Sequence, residues 1–128
     1  MSAPIKIGND SENVILERLT RDKEPGRWIV SGSFRVARVQ GSFESVLLRP
    51  DGFVQSLEQM NQIMRGEASL HGVDEDLSVK LSINKRGEVR VAADIDDHHS
   101  HNTSITFSLD QTYLPALIAA CRVNGWDI

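Results

Sequence analysis

The stretch LSVKLSINKRGEVRVAADI, residues 77–95, decides how this chain folds. Leu77, Val79, Leu81 and Ile83 alternate with polar residues, and so do Val89, Val91, Ala93 and Ile95. Such alternation marks strands that bury one face. Between the two runs, a three-residue loop of Lys85, Arg86 and Gly87 puts glycine in the left-handed position that such hairpins require. That loop length fixes the pairing. Ile83 falls opposite Val89, Leu81 opposite Val91, Val79 opposite Ala93 and Leu77 opposite Ile95, so all eight apolar side chains share one face. A loop of two or four residues shifts the parity and breaks the match.

Working outward, Ile105, Phe107 and Leu109 continue the alternation as a further strand, and then the period changes. Leu114, Leu117, Ile118 and Cys121 recur at helical spacing. With Thr112 as N-cap, Pro115 becomes the third helical residue, where its missing N–H is not needed, and Asp110 shapes the turn from strand to helix. The helix is expected to finish by Gly125, leaving Trp126 to cover a core edge. Upstream of the hairpin, Phe53, Leu57, Met60 and Met64, widened by Ile63, predict a helix of about 14 residues between Asp51 as N-cap and Gly66 as C-cap. Earlier still, Trp28, Val30, Phe34 and Val36 share a face, after which the parity changes to Val39 and Phe43. A bulge or turn near Ala37 to Gly41 would restore register. Val46 and Leu48 are expected to continue the strand that Pro50 ends, and Ile5 to Ile7 and Val14 to Leu19 read as weaker strands. Strands followed by a helix, twice, without βαβ alternation, place the chain in the α+β class: an antiparallel sheet of about six to eight strands with two amphipathic helices.

The 128 residues show no linker, low-complexity stretch or internal repeat, so one domain over residues 1–128 is expected. Hydrophobic residues make up 40% and charged residues 25%, ordinary globular usage that disfavours disorder and a membrane-spanning role. The N-terminal residues lack the basic and apolar regions of a signal peptide, which makes the cytoplasm the expected location. Fourteen basic against eighteen acidic residues give a net charge of -4, the wrong sign for nucleic acid as main ligand and suited to a basic protein partner. Cys121, the lone cysteine, excludes an internal disulfide, and its place on an apolar helix stripe reads as a buried structural thiol.

The hairpin register has one further consequence. Asp74, Glu75 and Asp76 precede its first strand while Asp94, Asp96 and Asp97 close its second, so the two acidic runs meet at its open end with Asp76 opposite Asp96. Like charges across a ladder repel, so this end should be frayed and hydrated or offset by something positive. It is the candidate contact for a basic partner. His98, His99 and His101 follow at once, and with Asp96 they are conceivable ligands for zinc, nickel or manganese. Adjacent histidines on an extended segment point to opposite sides, however, and metal sites normally draw ligands from separate rigid elements. No metal or other cofactor is implied. The phosphate loop, the Gly-x-Ser-x-Gly turn and the His-Glu-x-x-His helix are missing from the sequence, and Gly32-Ser33 and Gly41-Ser42 read as strand positions. No catalytic residues are expected.

The Trp28-Ile29-Val30 strand, the Gly-Ser-Phe-Glu strand from Gly41, the helix carrying Phe53, Leu57 and Met60, the Leu77 to Ile83 alternation and the phrase Asp110-Gln111-Thr112-Tyr113-Leu114-Pro115 together resemble the WapI family of bacterial immunity proteins. The resemblance covers roughly residues 12 to 123. It implies a small cytoplasmic protein that protects its own cell by binding and occluding a cognate polymorphic toxin domain, with no catalytic residues to carry over. An acidic surface suits a basic nuclease toxin. Two other readings stay open: a metal-binding module or small enzyme built on the Asp96 to His101 segment, and a scaffold that oligomerises through an exposed strand. The toxin's identity and the oligomeric state are not fixed by these residues.

Overall fold

A computed structural model describes residues 3–96 and 102–126, which form two four-stranded antiparallel sheets and two helices. The first sheet runs β1 (Ile5–Gly8), β2 (Asn13–Arg21), β3 (Arg27–Val36) and β4 (Val39–Leu48) in sequence order. Helix α1 (Pro50–Ile63) leads to the second sheet, β5 (Gly66–His71), β6 (Leu77–Ile83), β7 (Glu88–Asp96) and β8 (Asn102–Asp110), and α2 (Tyr113–Val123) follows. Every neighbouring pair is antiparallel and sequential, so short hairpin connections build both sheets.

The central hairpin has the register its loop dictates. Ile83 pairs with Val89, Leu81 with Val91, Val79 with Ala93 and Leu77 with Ile95. Gly87 sits at φ 81°, and Asn84 locks the loop by accepting the Arg86 and Glu88 backbone N–H groups on its side-chain oxygen at 2.9 and 3.0 Å. Seven of the eight apolar side chains are buried, and Ile83 packs against the same cluster from a half-buried position.

The first sheet differs from expectation in its details. Of the two devices expected after Val36 the turn is the one present: Val36 pairs with Val39 across Ala37, whose φ is 54°, and Arg38. This register turns Phe43, Ser45 and Leu47 inward, so Val46 and Leu48 face out, one residue out of step with the expected parity. The bulge lies in β2 instead, where the pairing with β3 slips between Leu16 and Arg18, so that Leu16 and Leu19 are both buried. Gly32 faces Phe43 and Gly41 faces Phe34 across the β3–β4 ladder, and a side chain at either glycine would collide with the opposing ring.

Both helices begin in ways that proline explains. Pro50 starts α1 rather than merely ending β4, because its fixed φ suits the first helical position. The N-cap is therefore Arg49, in a left-handed conformation, and Asp51 lies in the first turn instead of capping it. At the other end Met64, not Gly66, takes the left-handed cap, donating its N–H to Met60 O at 2.8 Å. That turn leaves Ile63 and Met64 exposed, while Val54 joins Phe53, Leu57 and Met60 in the core. In α2, Thr112 is the N-cap and Pro115 the third helical residue, as the spacing predicts, but among the described residues Thr112 makes no side-chain capping bond. The reason is local: of the two N–H groups a capping threonine could accept, Pro115 lacks one and Leu114 gives the other to Gln111 O at 3.0 Å. Asp110 does the work at this turn, accepting the Thr112 N–H at 2.9 Å, and that bond holds its carboxyl below the usual range.

Helix α1 packs on β5 and on α2, and α2 packs on β1, so the helix pair closes the side where the two sheets begin. An ion pair between Arg122 and Glu58 ties the helices together at the surface. Trp126 is buried and meets Trp28 edge-on, with ring centroids 6.1 Å apart, while the Arg21 guanidinium lies 5.3 Å from the Trp28 ring centre. Inner faces of both sheets and the buried stripes of both helices contribute to one hydrophobic cluster. Among the described residues no helix is long and apolar enough to cross a membrane.

Candidate functional site

The two acidic runs meet as the hairpin register requires. Asp96 N–H donates to Asp76 O at 2.9 Å, extending the β6–β7 ladder by one pair beyond Leu77 and Ile95. Asp97, His98, His99 and His101 lie outside the described residues, so the proposed histidine ligands and the last acid of the patch cannot be placed. Among the described residues no group of three or more histidine, cysteine or acidic side chains is placed to hold a metal ion.

Where it is described, this acidic end is hydrogen-bonded rather than frayed. Asp76 accepts a hydrogen bond from Ser45 Oγ at 2.7 Å, and Asp94 accepts one from Ser104 Oγ. Hydroxyl dipoles thus stabilise the two carboxylates, and each acid is drawn toward a neighbouring strand. Ser45 is the more informative partner because it is buried on the inner side of β4, where a hydroxyl needs an acceptor.

The turn that carries the first acidic run is fastened to the other sheet. Gly72 bridges to Leu47, Val73 N–H donates to Val46 O at 2.7 Å, and Gly72 N–H closes the turn on Leu77 O at 2.8 Å. A Cβ at Gly72 would overlap both Asp76 Oδ1 and Ser45 Oγ, so a larger residue there would displace the bond between them. Glu75 completes the turn at φ 59° and is exposed. Asp74 and Asp76 are thereby delivered to the edge of β4, Asp76 bonded to the inward Ser45 and Asp74 exposed.

There they border two adjoining clefts. The first, of ≈ 440 Å³, lies over Thr20, Ile29 and Val46 and is rimmed by Arg18, Glu44, Asp74 and Asp76. The second, of ≈ 580 Å³, shares Arg18, Glu44 and Asp76 and adds Glu17 and Asp96. Among the described lining residues, five carboxylates therefore surround one guanidinium. Asp94 and Glu75 line neither cleft: Asp94 points from the outer face of the second sheet, and Glu75 projects from the turn. So Asp76 borders both clefts, with Asp74 at the first and Asp96 at the second, while Glu75 and Asp94 border neither.

Glu17, Arg18 and Glu44 were not legible as part of this site from the sequence. A signal for the first two exists in the break between Leu16 and Leu19, where two polar residues replace one and the bulge turns them toward the cleft. Glu44 carries no such signal, because its position depends on the Val36–Val39 turn. Cys121 is fully buried, and burial pushes its thiol up to about 12, which excludes it as a nucleophile at neutral pH.

No curated protein and no solved structure matched this chain. The sequence does match the Immunity protein WapI-like family over residues 6–123, a span that takes in both sheets and both helices, and the chain belongs to that family.

Proposed function

We propose that this protein is a cytoplasmic, non-catalytic immunity protein that binds a cognate polymorphic toxin domain and occludes it, and that its acidic end makes the contact. Family membership across most of the chain carries the role. The contact surface rests on charge and placement. The net charge is -4, and Asp76 lines both clefts with Asp74 in the first and Asp96 in the second. Exposed charges contribute little to folding but steer encounter with an oppositely charged partner, and an acidic surface can occupy a site built for nucleic acid.

The test is co-purification with the toxin domain encoded beside this protein, followed by titration of the toxin's activity. A tight complex with full inhibition at a one-to-one ratio is expected. Charge reversal at the exposed Asp74→Lys and Glu75→Lys should then slow association, with the difference from the native protein shrinking as salt rises. Undiminished toxicity on co-expression, with no complex, would exclude the immunity role. Association unchanged across the salt series would remove the acidic end from the contact.

A further inference from the structure

The outward face of the first sheet carries an apolar row that the core does not use. Thr20 pairs with Ile29 and Ile29 with Val46, so the three lie side by side across β2, β3 and β4. The turn continues this row at the β4 edge, where Val73 N–H bonds Val46 O. Ile29 is 49% exposed, and Leu48, two residues along β4 on the same face, is also 49% exposed. The next row, Arg18, Ser31 and Glu44, is polar and charged, and Asp74 and Asp76 overhang the end of both rows. An open apolar floor beside an acidic rim results.

Resting on the immunity reading, we infer that this floor is where the toxin anchors: it takes an aliphatic side chain of the toxin whose neighbouring lysine or arginine meets Glu44, Asp74 and Asp76. The cleft of ≈ 440 Å³ has room for side chains rather than for a whole element. Its chemistry selects the occupant by charge complementarity. A second copy of this chain would place one acidic rim against another in a two-fold contact, because an isologous interface brings the same patch from both subunits together. A basic segment meets three carboxylates against the single guanidinium of Arg18. The floor and the rim divide the work: apolar anchors buried at the centre of an interface govern how long a complex lasts, whereas rim charges govern how fast it forms.

The experiment measures binding of the same toxin domain to the native protein, to Ile29→Ala in the floor and Leu48→Ala beside it on the same face, to Glu44→Lys in the rim, and to Lys80→Ala on the other sheet. All four positions are solvent-accessible, and thermal unfolding of each variant checks that it folds. Ile29→Ala should raise Kd by roughly 30-fold or more, mainly through faster dissociation, which is the scale of an interface hot spot. Leu48→Ala should act in the same direction, Glu44→Lys should mainly slow association, and Lys80→Ala should change neither rate. If the native protein binds and inhibits the toxin while Ile29→Ala and Leu48→Ala bind as tightly, the floor is not the anchor and the immunity reading stands. Failure of the native protein to bind overturns both. Sedimentation of the protein alone gives a further check: a dimer that Ile29→Ala dissociates would assign the floor to a second copy and overturn the inference.

Discussion

At the scale of single residues, the lone cysteine shows how burial alone sets chemistry. The Cys121 thiol is fully enclosed by apolar neighbours, and burial raises it from its ordinary 9.0 to about 12. In the unfolded chain the thiol loses its proton near 9, while the folded protein retains it to about 12. The unfolded state therefore binds fewer protons in that window, and stability falls as pH rises through it. Below pH 9 the contribution is fully present. We expect the stability difference between the native protein and Cys121→Ala to be flat from pH 6 to about 8.5 and to shrink above it. Denaturant titrations of both proteins check this, and parallel profiles to pH 11 would show that the thiol is not the source. The acceptors at Asp110 and Asp76 belong to this scale too, since each satisfies a group that its own element leaves unpaired: the Thr112 N–H and the buried Ser45 hydroxyl.

At the scale of elements, turns set registers and registers choose faces. The β6–β7 loop holds all eight apolar side chains on one face only while Gly87 keeps its left-handed conformation. Gly87→Ala should cost about 1–2 kcal/mol, the penalty for a side chain in that region, whereas Phe107→Ala, which empties the neighbouring strand's place in the core, should cost about 3–5 kcal/mol. Chemical denaturation ranks the two, and a Gly87→Ala protein as stable as the native one would mean that the loop conformation does not control the register. The Val36–Val39 turn shows the same logic where sequence reading went astray. One residue of offset moved Val46 and Leu48 from the core to the surface and brought Ser45 inside. The apolar face of the first sheet is the product of that offset.

At the scale of the whole molecule, the two sheets are joined through Gly72, Val73 and Ser45 on one side and closed by the paired helices on the other. Because their inner faces share one hydrophobic cluster, we propose that residues 1–128 unfold as one cooperative unit. Trp28 and Trp126 report on the closure by α2, while far-ultraviolet circular dichroism reports on all strands and helices. Thermal transitions followed by tryptophan fluorescence and by circular dichroism should coincide. Separate midpoints would show that the sheets melt independently.

The sequence by itself determined the α+β class, the antiparallel strands, the complete register of the central hairpin and the meeting of Asp76 with Asp96, because alternation and loop length are local and leave one parity that buries every apolar residue. It also determined the strand-to-helix turn at Asp110 to Pro115, where a missing N–H and a short acidic side chain act within a few residues. Tertiary structure alone decided that the chain divides its strands between two sheets and that the acidic turn is fastened to β4. It also decided that Glu17, Arg18 and Glu44 join Asp74, Asp76 and Asp96 around one cleft system. Those placements depend on contacts between residues far apart in the chain, such as Ser45 with Asp76 and Leu47 with Gly72. Periodicity says which face of a strand is buried; which other strand comes to lie against it is settled only when the whole core packs.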